Sequence, residues 1–543
     1  MQNRAFRRLA ASASAAALGA GLVSAGAAQA FTLHILHIND FHSRIESVSA
    51  TDSSCSAEDE AEGACFGGAA RLKTAIDGLR AELEAQGDAV LVLDAGDQFA
   101  GSLFFTTFRG QAEAEFHNAI GFDAMVLGNH EFDLGPEPLA AFIETVESPV
   151  VFGNVDAMGD NRLGPLDADP IIIEAGGKRV AILGAVTPDT VEISSPGPTV
   201  AFGDPVAYLS EAAAALEADG IDHIIALTHL GALADFEVAA ATPGIDAIVG
   251  GHSHTLFSNT IEGAAYPYPQ MVDGPGGVAV PVVQAGAYSK YLGHLKLVFD
   301  DEGVVTEASG DTILLDASIE PDAGVLARIA ELGAPIAELK AEVVAEVAAP
   351  IDASRETCRA GECQMGTLVA EAMLDRVRGQ GVTIAITNGG GLRASIDAGP
   401  VTRGEVLTVL PFQNTLSTFE ITGAGLIAAL ENGVSQVEEG AGRFPQVAGL
   451  TFTWDPAAPP GSRIRDVMVQ QGEAWGPIDA DATYMAVTNN FMRGGGDGYA
   501  VLRDQATNAY DFGPGLDDVL ADYLAAHPDY TPFTDGRIAE IQG

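Results

Sequence analysis

Short apolar segments alternate along the chain with longer segments rich in alanine, leucine and glutamate. The apolar segments have the length of buried strands, and the longer ones have the spacing of helices. Strands are predicted at 31–38, 89–93, 124–127, 179–186, 223–227 and 247–249, and helices at 69–84, 112–120 and 205–218. This alternation predicts an α/β architecture.

Most of the predicted strands end in a polar turn. The turns are Asn39-Asp40, Asp94-Ala-Gly-Asp97, Gly128-Asn-His130, Thr228-His229 and Gly250-Gly-His252. In open α/β sheets the reactive loops collect at the carboxyl ends of the strands. We therefore expect these turns to share one rim.

The organisation of the chain changes after about residue 320. The segment from Pro321 to Glu346 is rich in alanine, glutamate and leucine and predicts a connecting helical segment. The residues that follow have polar and glycine-rich turns of their own. The predicted organisation is a signal peptide at 1–30, a first domain at 31–318, a linker helix at 319–345 and a second domain at 346–543.

The first thirty residues have the pattern of an export signal. Arg4, Arg7 and Arg8 precede a run of small apolar residues, and 28–30 form an A-x-A cleavage motif, so the mature chain should begin at Phe31. The arginine pair also resembles a twin-arginine signal, but a general secretory signal is favoured. With no cysteine after the cleavage site, no long apolar segment and a polar C-terminus, we expect a periplasmic or secreted protein without a membrane anchor.

The charge of the chain restricts its partners. Asp and Glu number 75 against 27 Lys and Arg, which gives a formal net charge of −48. A surface this acidic repels nucleic acids and anionic membranes, so nucleic-acid binding is excluded. An anionic substrate would need local positive charge at its binding site, such as bound metal ions and a few arginines, to offset this repulsion.

Four cysteines are present: Cys55, Cys65, Cys358 and Cys363. Four cysteines allow three pairings, of which Cys55–Cys65 with Cys358–Cys363 is the simplest. A four-cysteine zinc site is disfavoured because no CxxC spacing occurs.

The polar turns contain residues that bind metal ions. They offer carboxylates, imidazoles and an amide without any thiolate, at Asp40, His42, Asp97, Asn129, His229, His252 and His254. Two divalent ions about 3.5–4 Å apart can share one carboxylate, activate a water and hold phosphate oxygens. Mixed oxygen and nitrogen ligands suit such a centre. His130 and Asp133 are three residues apart, so the carboxylate can hold the imidazole in one tautomer.

These motifs resemble those of the 5′-nucleotidase family, within the calcineurin-like metallophosphoesterases. The resemblance covers nearly all of the mature chain. The matching segments are 37–44, 93–98, 127–133, 249–254, 282–293, 358–366, 387–393, Pro411-Phe412 and 495–498. It implies a four-layer metallophosphoesterase domain joined by a helix to a C-terminal substrate-binding domain.

The resemblance also implies roles for the residues in the turns. One divalent ion, zinc, manganese or similar, would be held by Asp40, His42, Asp97 and His254. A second would be held by Asp97, Asn129, His229 and His252, so that Asp97 bridges the two. His130, positioned by Asp133, would contact the phosphate.

The second domain would hold the nucleoside. The resemblance assigns Arg359 and Arg393 to phosphate and ribose, Phe412 and Phe491 to a sandwich around the base, Asn388 to the base edge and Asp497 to the ribose hydroxyls. Ala360-Gly361 departs from the family, because some relatives carry a second basic residue between the cysteines.

Three functions remain open at this point. The leading prediction is an exported 5′-nucleotidase, in which water attacks the phosphorus of a nucleoside 5′-monophosphate in line. The second is a UDP-sugar hydrolase or a 2′,3′-cyclic phosphodiesterase with 3′-nucleotidase action, which would share the metal-binding loops. The third is a scavenging protein that binds nucleotides without turnover. In each case the partner is a small nucleotide.

Overall fold

The computed structural model describes residues 31–541 except 51, 53–54, 165–169, 413, 473, 512 and 529. The signal peptide predicted at 1–30 lies outside the described residues.

The N-terminal part alternates strands and helices, as the sequence predicts. Its strands are β1 (Phe31–Ile38), β2 (Ala89–Asp94), β3 (Ala124–Val126), β4 (Val150–Val151), β5 (Val155–Asp156), β6 (Ile171–Ala175), β7 (Lys178–Val186), β8 (Ala201–Phe202), β9 (Ile224–His229), β10 (Ala247–Val249), β11 (Gln270–Asp273), β12 (Ala279–Val283), β13 (Tyr291–Phe299) and β14 (Val305–Leu314). Its helices are α1 (Ala57–Glu62), α2 (Ala69–Gln86), α3 (Leu103–Phe108), α4 (Gln111–Ile120), α5 (Pro136–Thr145), α6 (Thr190–Ile193), α7 (Pro205–Ala218), α8 (Ala232–Ala241), α9 (Ala323–Gly333) and α10 (Ala337–Lys340). The predicted strands and helices of this part are confirmed to within about two residues at each end, as expected for boundaries read from sequence.

Two stacked sheets form the centre of this part. One has the strand order β14-β13-β1-β2-β3-β4, and the other has the order β11-β12-β10-β9-β7-β6. Their inner faces share one hydrophobic core. Helices α2, α4 and α9 cover the outer face of the first sheet, while α7 and α8 cover the second. The predicted four-layer arrangement of helices and sheets is therefore confirmed.

The rim expected at the strand ends is built by both sheets. The turns after β1, β2 and β3 belong to the first sheet, and those after β9 and β10 belong to the second. Within each set the strands run parallel, so their carboxyl ends point the same way. The polar turns therefore face one another across the top of the sandwich.

The C-terminal part has a central sheet with the strand order β19-β16-β23-β18-β24 and a second sheet with the order β22-β21-β20-β25. Its strands are β15 (Val343–Val347), β16 (Ile384–Asn388), β17 (Gly399–Thr402), β18 (Leu416–Thr422), β19 (Pro445–Ala448), β20 (Leu450–Trp454), β21 (Ile464–Gln471), β22 (Ala474–Pro477), β23 (Thr483–Asn489), β24 (Thr507–Tyr510) and β25 (Ile538–Glu540). Its helices are α11 (Arg355–Cys358), α12 (Gln364–Arg378), α13 (Arg403–Val409), α14 (Gly423–Gly433), α15 (Asn490–Arg493), α16 (Ala500–Gln505) and α17 (Leu516–Ala526). A core lies on each face of the central sheet.

The segment that joins the two parts is helical only up to Lys340. Asp322 caps α9 by accepting the backbone N–H of Val325 at 2.8 Å. A 3₁₀ turn at Ala334–Ile336 connects α9 to α10. The helix predicted over the remainder of 319–345 is wrong for residues 343–345, which belong to β15 and pair with β17. Val343 and Val344 are β-branched and favour this extended conformation.

Both disulfides link cysteines that are close in sequence, Cys55 to Cys65 and Cys358 to Cys363. This is the simplest of the three pairings. Among the residues that the structure describes, no helix combines the length and the apolar character needed to cross a bilayer.

Candidate active site

The turns at the rim hold their side chains on a strained backbone. Asp40, His42, Asp97, His252 and His254 all adopt positive φ values, between 50° and 78°. For residues other than glycine, this left-handed conformation costs about 1–2 kcal/mol each. Such strain clusters where the surrounding structure imposes it at a functional site.

The potential metal ligands form two adjacent groups. In the first, His254 Nε2 lies 3.1 Å from Asp40 Oδ1, and His42 Nε2 lies 3.1 Å from His254 Nε2. In the second, His229 Nε2 lies 3.1 Å from Asp97 Oδ2, and His252 completes the group. Within each group one ligand atom from each residue lies within 4.8 Å of the others.

Asp97 lies between the two groups. Its Oδ2 atom is 3.7 Å from His42 Nε2 in the first group and 3.1 Å from His229 Nε2 in the second. Its Oδ1 atom accepts the backbone N–H of His130 at 2.9 Å. Asn129 reaches the second group, since its Oδ1 atom is 2.8 Å from His252 Nδ1. The sequence-predicted ligands are thus brought together, with Asp97 in a bridging position.

The arrangement of nitrogens and oxygens fits a divalent cation. His42 Nδ1 donates to the carbonyl of Phe99 at 3.0 Å, and His229 Nδ1 donates to the carbonyl of Ala95 at 2.6 Å. These bonds hold each Nδ1 as the donor, so that Nε2 is the nitrogen of each ring that can bind a cation. Asp40 Oδ1 and His229 Nε2 are buried without a hydrogen-bond partner. Asp40 Oδ1 lies 3.1 Å from His254 Nε2, and His229 Nε2 lies 3.1 Å from Asp97 Oδ2, so a cation placed among these atoms would satisfy them.

Burial and charge set the protonation of these groups. Burial lowers the pKa of His42, His252 and His254 well below the usual value, which favours the neutral imidazole that binds metals. Burial also opposes the charged form of His229, but the carboxylates of Asp97 and Asp40 outweigh it and raise its pKa to about 10. A cation at the site would replace this proton.

His130 and Asp133 form a close pair beside the metal-binding groups. His130 Nδ1 lies 2.6 Å from Asp133 Oδ2, and Ser194 Oγ donates to Asp133 Oδ1 at 2.8 Å. Burial opposes the charge on His130, but Asp133 and Asp97 raise its pKa overall. The pair can present a proton on His130 Nε2 to an anionic group.

Side chains of the C-terminal part lie directly on this cluster. Arg393 Nη2 is 3.0 Å from His42 Nε2. The ring of Phe412 stacks on His130, with centroids 5.5 Å apart and planes 17° apart, and the guanidinium of Arg393 lies over the ring of Phe412 at 5.6 Å. Two of the predicted nucleoside-binding residues therefore contact two of the residues predicted to bind metal or phosphate, His42 and His130.

Arginines accumulate at this meeting point. Arg359 is buried, and burial together with Arg355 and Arg393 lowers its pKa well below the usual value. The pKa of Arg355 is lowered as well, first by burial and then by Arg393. Sequence reasoning missed Arg355. Its signal was the spacing of four residues from Arg359, one turn along α11, which brings both arginines to the same face.

The remaining predicted nucleoside residues lie deeper in the C-terminal part. Asn388 Nδ2 donates to Asp497 Oδ2 at 2.6 Å, and Asn489 Nδ2 donates to Asn388 Oδ1 at 3.0 Å. Phe491 packs on the C-terminal core, and its ring lies so close to Gly496 that a Cβ there would be 2.4 Å from it. Asn388 and Asp497 thus contact each other. The two phenylalanine rings lie apart, since Phe412 stacks on His130 whereas Phe491 packs on the C-terminal core.

Two further residues were missed because their roles depend on the tertiary structure. Glu131 is fully buried and accepts backbone N–H groups from the loop that carries Asp97. The ring of Tyr288 lies 5.1 Å from that of His254 and 5.6 Å from that of His42. Glu131 lies within the matched 127–133 motif, which gave no indication of which atoms it would bind.

Comparisons with known proteins agree with this arrangement. The family model of calcineurin-like phosphoesterases matches residues 33–256, and that of the 5′-nucleotidase C-terminal domain matches residues 336–504. A snake venom 5′-nucleotidase from Gloydius brevicauda is 34% identical over 94% of this chain and 89% of its own length. The human 5′-nucleotidase is 34% identical over 96% of this chain and 93% of its own.

A solved structure shows the same architecture. The 5′-nucleotidase precursor from Thermus thermophilus is 40% identical, covers 94% of this chain and all of its own, and superposes with a TM-score of 0.89. Its similarity extends over both parts of the molecule. The chain is therefore a metal-dependent phosphoester hydrolase that belongs to the 5′-nucleotidase family.

Proposed function

We propose that this protein is an exported 5′-nucleotidase that hydrolyses nucleoside 5′-monophosphates at a centre of two divalent ions. The observation that carries the proposal is the contact between the two parts. Arg393 approaches His42 within 3.0 Å, and Phe412 stacks on His130. A group that binds anions and a ring that can stack on a base therefore lie beside the potential metal ligands.

In this proposal one ion is held by Asp40, His42, Asp97 and His254, and the other by Asp97, Asn129, His229 and His252. The two ligand groups on either side of Asp97 support this division. Divalent ions, when bound, supply a Lewis acid that polarises phosphate oxygens and makes water nucleophilic at neutral pH.

The chain's own residues orient the substrate and stabilise charge. Asp133 holds His130, whose Nε2–H donates to a phosphate oxygen as negative charge develops on it. Arg355, Arg359 and Arg393 bind the phosphate and ribose oxygens, for which their planar guanidinium groups are suited.

The C-terminal domain recognises the nucleoside. Phe412 and Phe491 would stack on the base from opposite sides, a contact that tolerates every base because each has a π-face. Asn388 would bind the base edge and Asp497 the ribose hydroxyls. Since Asn388 now bonds to Asp497 and the two rings have different neighbours, closure on a nucleoside requires these groups to rearrange.

The names of the relatives favour this substrate class. The snake venom and human proteins are both named 5′-nucleotidases. A venom protein is secreted, which supports export here as well. The same proposal includes a first domain at 31–318, a hinge near residues 321–340 and a second domain that begins near residue 346. Strand β15 crosses the second boundary, because it pairs with β17 of the C-terminal part.

Phosphate release by the purified exported protein tests the proposal. We would compare AMP, 3′-AMP, 2′,3′-cyclic AMP and UDP-glucose, each with chelator and with metal added back. Metal-dependent release from AMP far above the others is expected. Preference for the cyclic nucleotide or for UDP-glucose would overturn the assignment of the substrate, and no turnover of any of them would favour the scavenging protein.

A substitution separates catalysis from binding. His130→Ala should lower kcat by about 10²–10⁴-fold, the usual contribution of a positioned acid or base. The exposed His527 provides the matched control, and His527→Ala should retain full activity. Full activity of His130→Ala would refute the role of His130.

A further inference from the structure

Helix α6 and the residue after it lie next to the catalytic pair. Ser194 follows α6 directly, and its hydroxyl donates to Asp133 Oδ1 at 2.8 Å. The other carboxylate oxygen, Asp133 Oδ2, is 2.6 Å from His130 Nδ1. Ser194 thus holds the carboxylate that holds the imidazole. A lost bond here would leave Asp133 free to rotate, and His130 would lose its orientation.

The same helix touches the C-terminal domain on its other side. It packs on the turn at Gly496–Gly498, which carries Asp497. Glu192 Oε2 lies 3.6 Å from Arg443 Nη2. Arg443 Nη1 donates to Asn432 Oδ1 at 3.4 Å, and Asn432 Nδ2 donates to the carbonyl of Asp497 at 3.0 Å. Glu192 is therefore connected to the turn that would hold the ribose.

Glycine at position 498 allows this close approach. Gly498 has φ +74°, and a Cβ there would lie 3.0 Å from Arg443 Nη1 and 3.3 Å from Glu192 Oε2. A side chain here would crowd Asn432 and Arg443 of the same domain and would displace the Glu192 carboxylate. The short helix itself is held by backbone bonds, Glu192 N to Asp189 O at 2.7 Å and Ser194 N to Thr190 O at 3.1 Å. These bonds hold Glu192 and Ser194, two residues apart, in one short hydrogen-bonded turn.

We propose that Glu192 and Ser194 are positioning residues that couple the closure of the C-terminal domain on the nucleoside to the orientation of Asp133 and His130. The coupling rests on the proposed function, because it needs a substrate that occupies both domains. Glu192 is half exposed, with 51% of its side chain accessible, so its ion pair with Arg443 is weak by itself. Its effect is expected in the rate of the nucleotide reaction rather than in stability.

The experiment measures kcat and KM for AMP and for p-nitrophenyl phosphate, a phosphoester with neither ribose nor purine. Ser194→Ala should lower kcat about tenfold on both substrates with KM within about twofold, which corresponds to one hydrogen bond to a charged group. Ser194→Thr should restore most of kcat, because it keeps the hydroxyl on an extended backbone that suits a β-branched residue. Glu192→Gln should lower kcat about threefold on AMP only, since only AMP engages the C-terminal turn.

A double-mutant cycle decides whether the two residues act together. If Ser194 transmits the effect of Glu192, the double variant should have the kcat of Ser194→Ala alone on AMP. Asp189→Asn is the charge-matched control, because it removes an exposed acid from the start of the same helix. Melting temperature and metal content are measured for every variant, so that a folding defect is recognised. If Ser194→Ala fails to fold, the exposed Glu192→Gln, compared on AMP and on p-nitrophenyl phosphate, tests the coupling instead.

Two results would overturn the coupling. One is a single variant without its expected loss, either Ser194→Ala within twofold of the wild type on both substrates or Glu192→Gln equal to the wild type on AMP. The other is a double variant whose loss is the product of the two single losses. Either result would leave the 5′-nucleotidase proposal intact if the wild type hydrolyses AMP. If the wild type hydrolyses p-nitrophenyl phosphate but no nucleotide, the substrate assignment and the coupling are both refuted. The Ser194 variants, assayed on p-nitrophenyl phosphate, would then still test the contact of Ser194 with Asp133.

Discussion

Replacement of Glu131 by glutamine tests whether one buried carboxylate shapes the metal-binding loop. Glu131 Oε2 accepts the backbone N–H of Asp97 at 3.1 Å and that of Gly128 at 2.5 Å. Its Oε1 atom accepts the N–H of Gln98 at 2.7 Å and that of Phe99 at 3.1 Å. The side chain is completely buried, so water cannot replace any of these bonds. The loop after β2 is thereby tied to the loop after β3.

The magnitude follows from the number of bonds that glutamine can keep. Its single carbonyl oxygen can accept two of the four N–H groups, and its NH₂ group faces the other two, which are also donors. Hydrogen bonds to a charged group contribute about 1.5–3 kcal/mol each, so losing two costs about 3–6 kcal/mol. Burial, followed by the nearby carboxylate of Asp97, raises the pKa of Glu131 to about 7. The buried negative charge is therefore itself unfavourable, and its removal in glutamine offsets part of the cost of the lost hydrogen bonds. We therefore expect a loss near the lower limit, about 3 kcal/mol.

Denaturant unfolding and metal analysis together measure this effect. Glu131→Gln should lower the free energy of unfolding of the N-terminal domain and reduce the number of bound ions, because the loop that presents Asp97 loosens. Glu137→Gln is the control, since 83% of the Glu137 side chain is exposed. A Glu131→Gln variant that unfolds within about 0.5 kcal/mol of the wild type, the usual effect of a surface substitution, and that keeps its full metal content would refute the reasoning.

The other predictions concern the metal ions, the base and a buried acid. Chelation should abolish phosphate release and lower the melting temperature, because Asp40 and Asp97 are then left buried together without a cation; activity that survives chelation would contradict a metal centre. Phe412→Ala should raise KM for AMP about tenfold through lost stacking, with KM for p-nitrophenyl phosphate within twofold; equal changes for both substrates would argue against base stacking. Burial raises the pKa of Glu113 from 4.5 to about 7, so the folded protein keeps a proton that the unfolded chain loses, and stability falls as the pH rises from 4.5 to 7. The free energy of unfolding of Glu113→Gln, measured in urea, should therefore rise relative to that of the wild type by up to about 3 kcal/mol between pH 4.5 and pH 8. The exposed Glu82→Gln should show no such relative rise.

The hydrophobic pattern predicted six strands of the N-terminal part but not their division between two sheets. Strand lengths follow from runs of buried residues such as Ile224–His229, which are local. Their partners are not local. Strand β1 lies between β2, which follows it in the chain, and β13 at Tyr291–Phe299, more than 250 residues later. Alternation along the chain carries no information about such pairings. The helix predicted beyond Lys340 failed for the same reason, because residues 343–347 are extended by pairing with β17.

The candidate ligands could be found because the turns identify them. Polar residues stand at the ends of apolar strands, as Asp40 does after β1 and His229 does in β9. Polar side chains at the end of a buried sheet are unfavourable unless they bind something, so their position marks them as candidate ligands. Neither Arg355 nor Glu131 directly follows an apolar strand, and the spacing of Arg355 from Arg359 did not show which groups it would meet. The importance of Arg355 depends on the approach of a second domain, and that of Glu131 depends on four backbone groups from two separate loops. Such roles depend on tertiary geometry that no local pattern encodes.

The chain is strongly acidic, yet a phosphoester substrate is also negatively charged. The arginines at the junction of the two domains supply local positive charge that offsets this repulsion. Burial lowers the pKa of both Arg355 and Arg359, and their neighbouring guanidinium groups lower it further, so a phosphate group would relieve the mutual repulsion of this cluster. Arg393 Nη2 lies 3.0 Å from His42 Nε2, the lone pair that the ligand assignment gives to a cation. One lone pair cannot serve both a guanidinium and a metal ion. If His42 holds a cation as proposed, Arg393 would have to leave His42, and its guanidinium would then be free to bind a phosphate group.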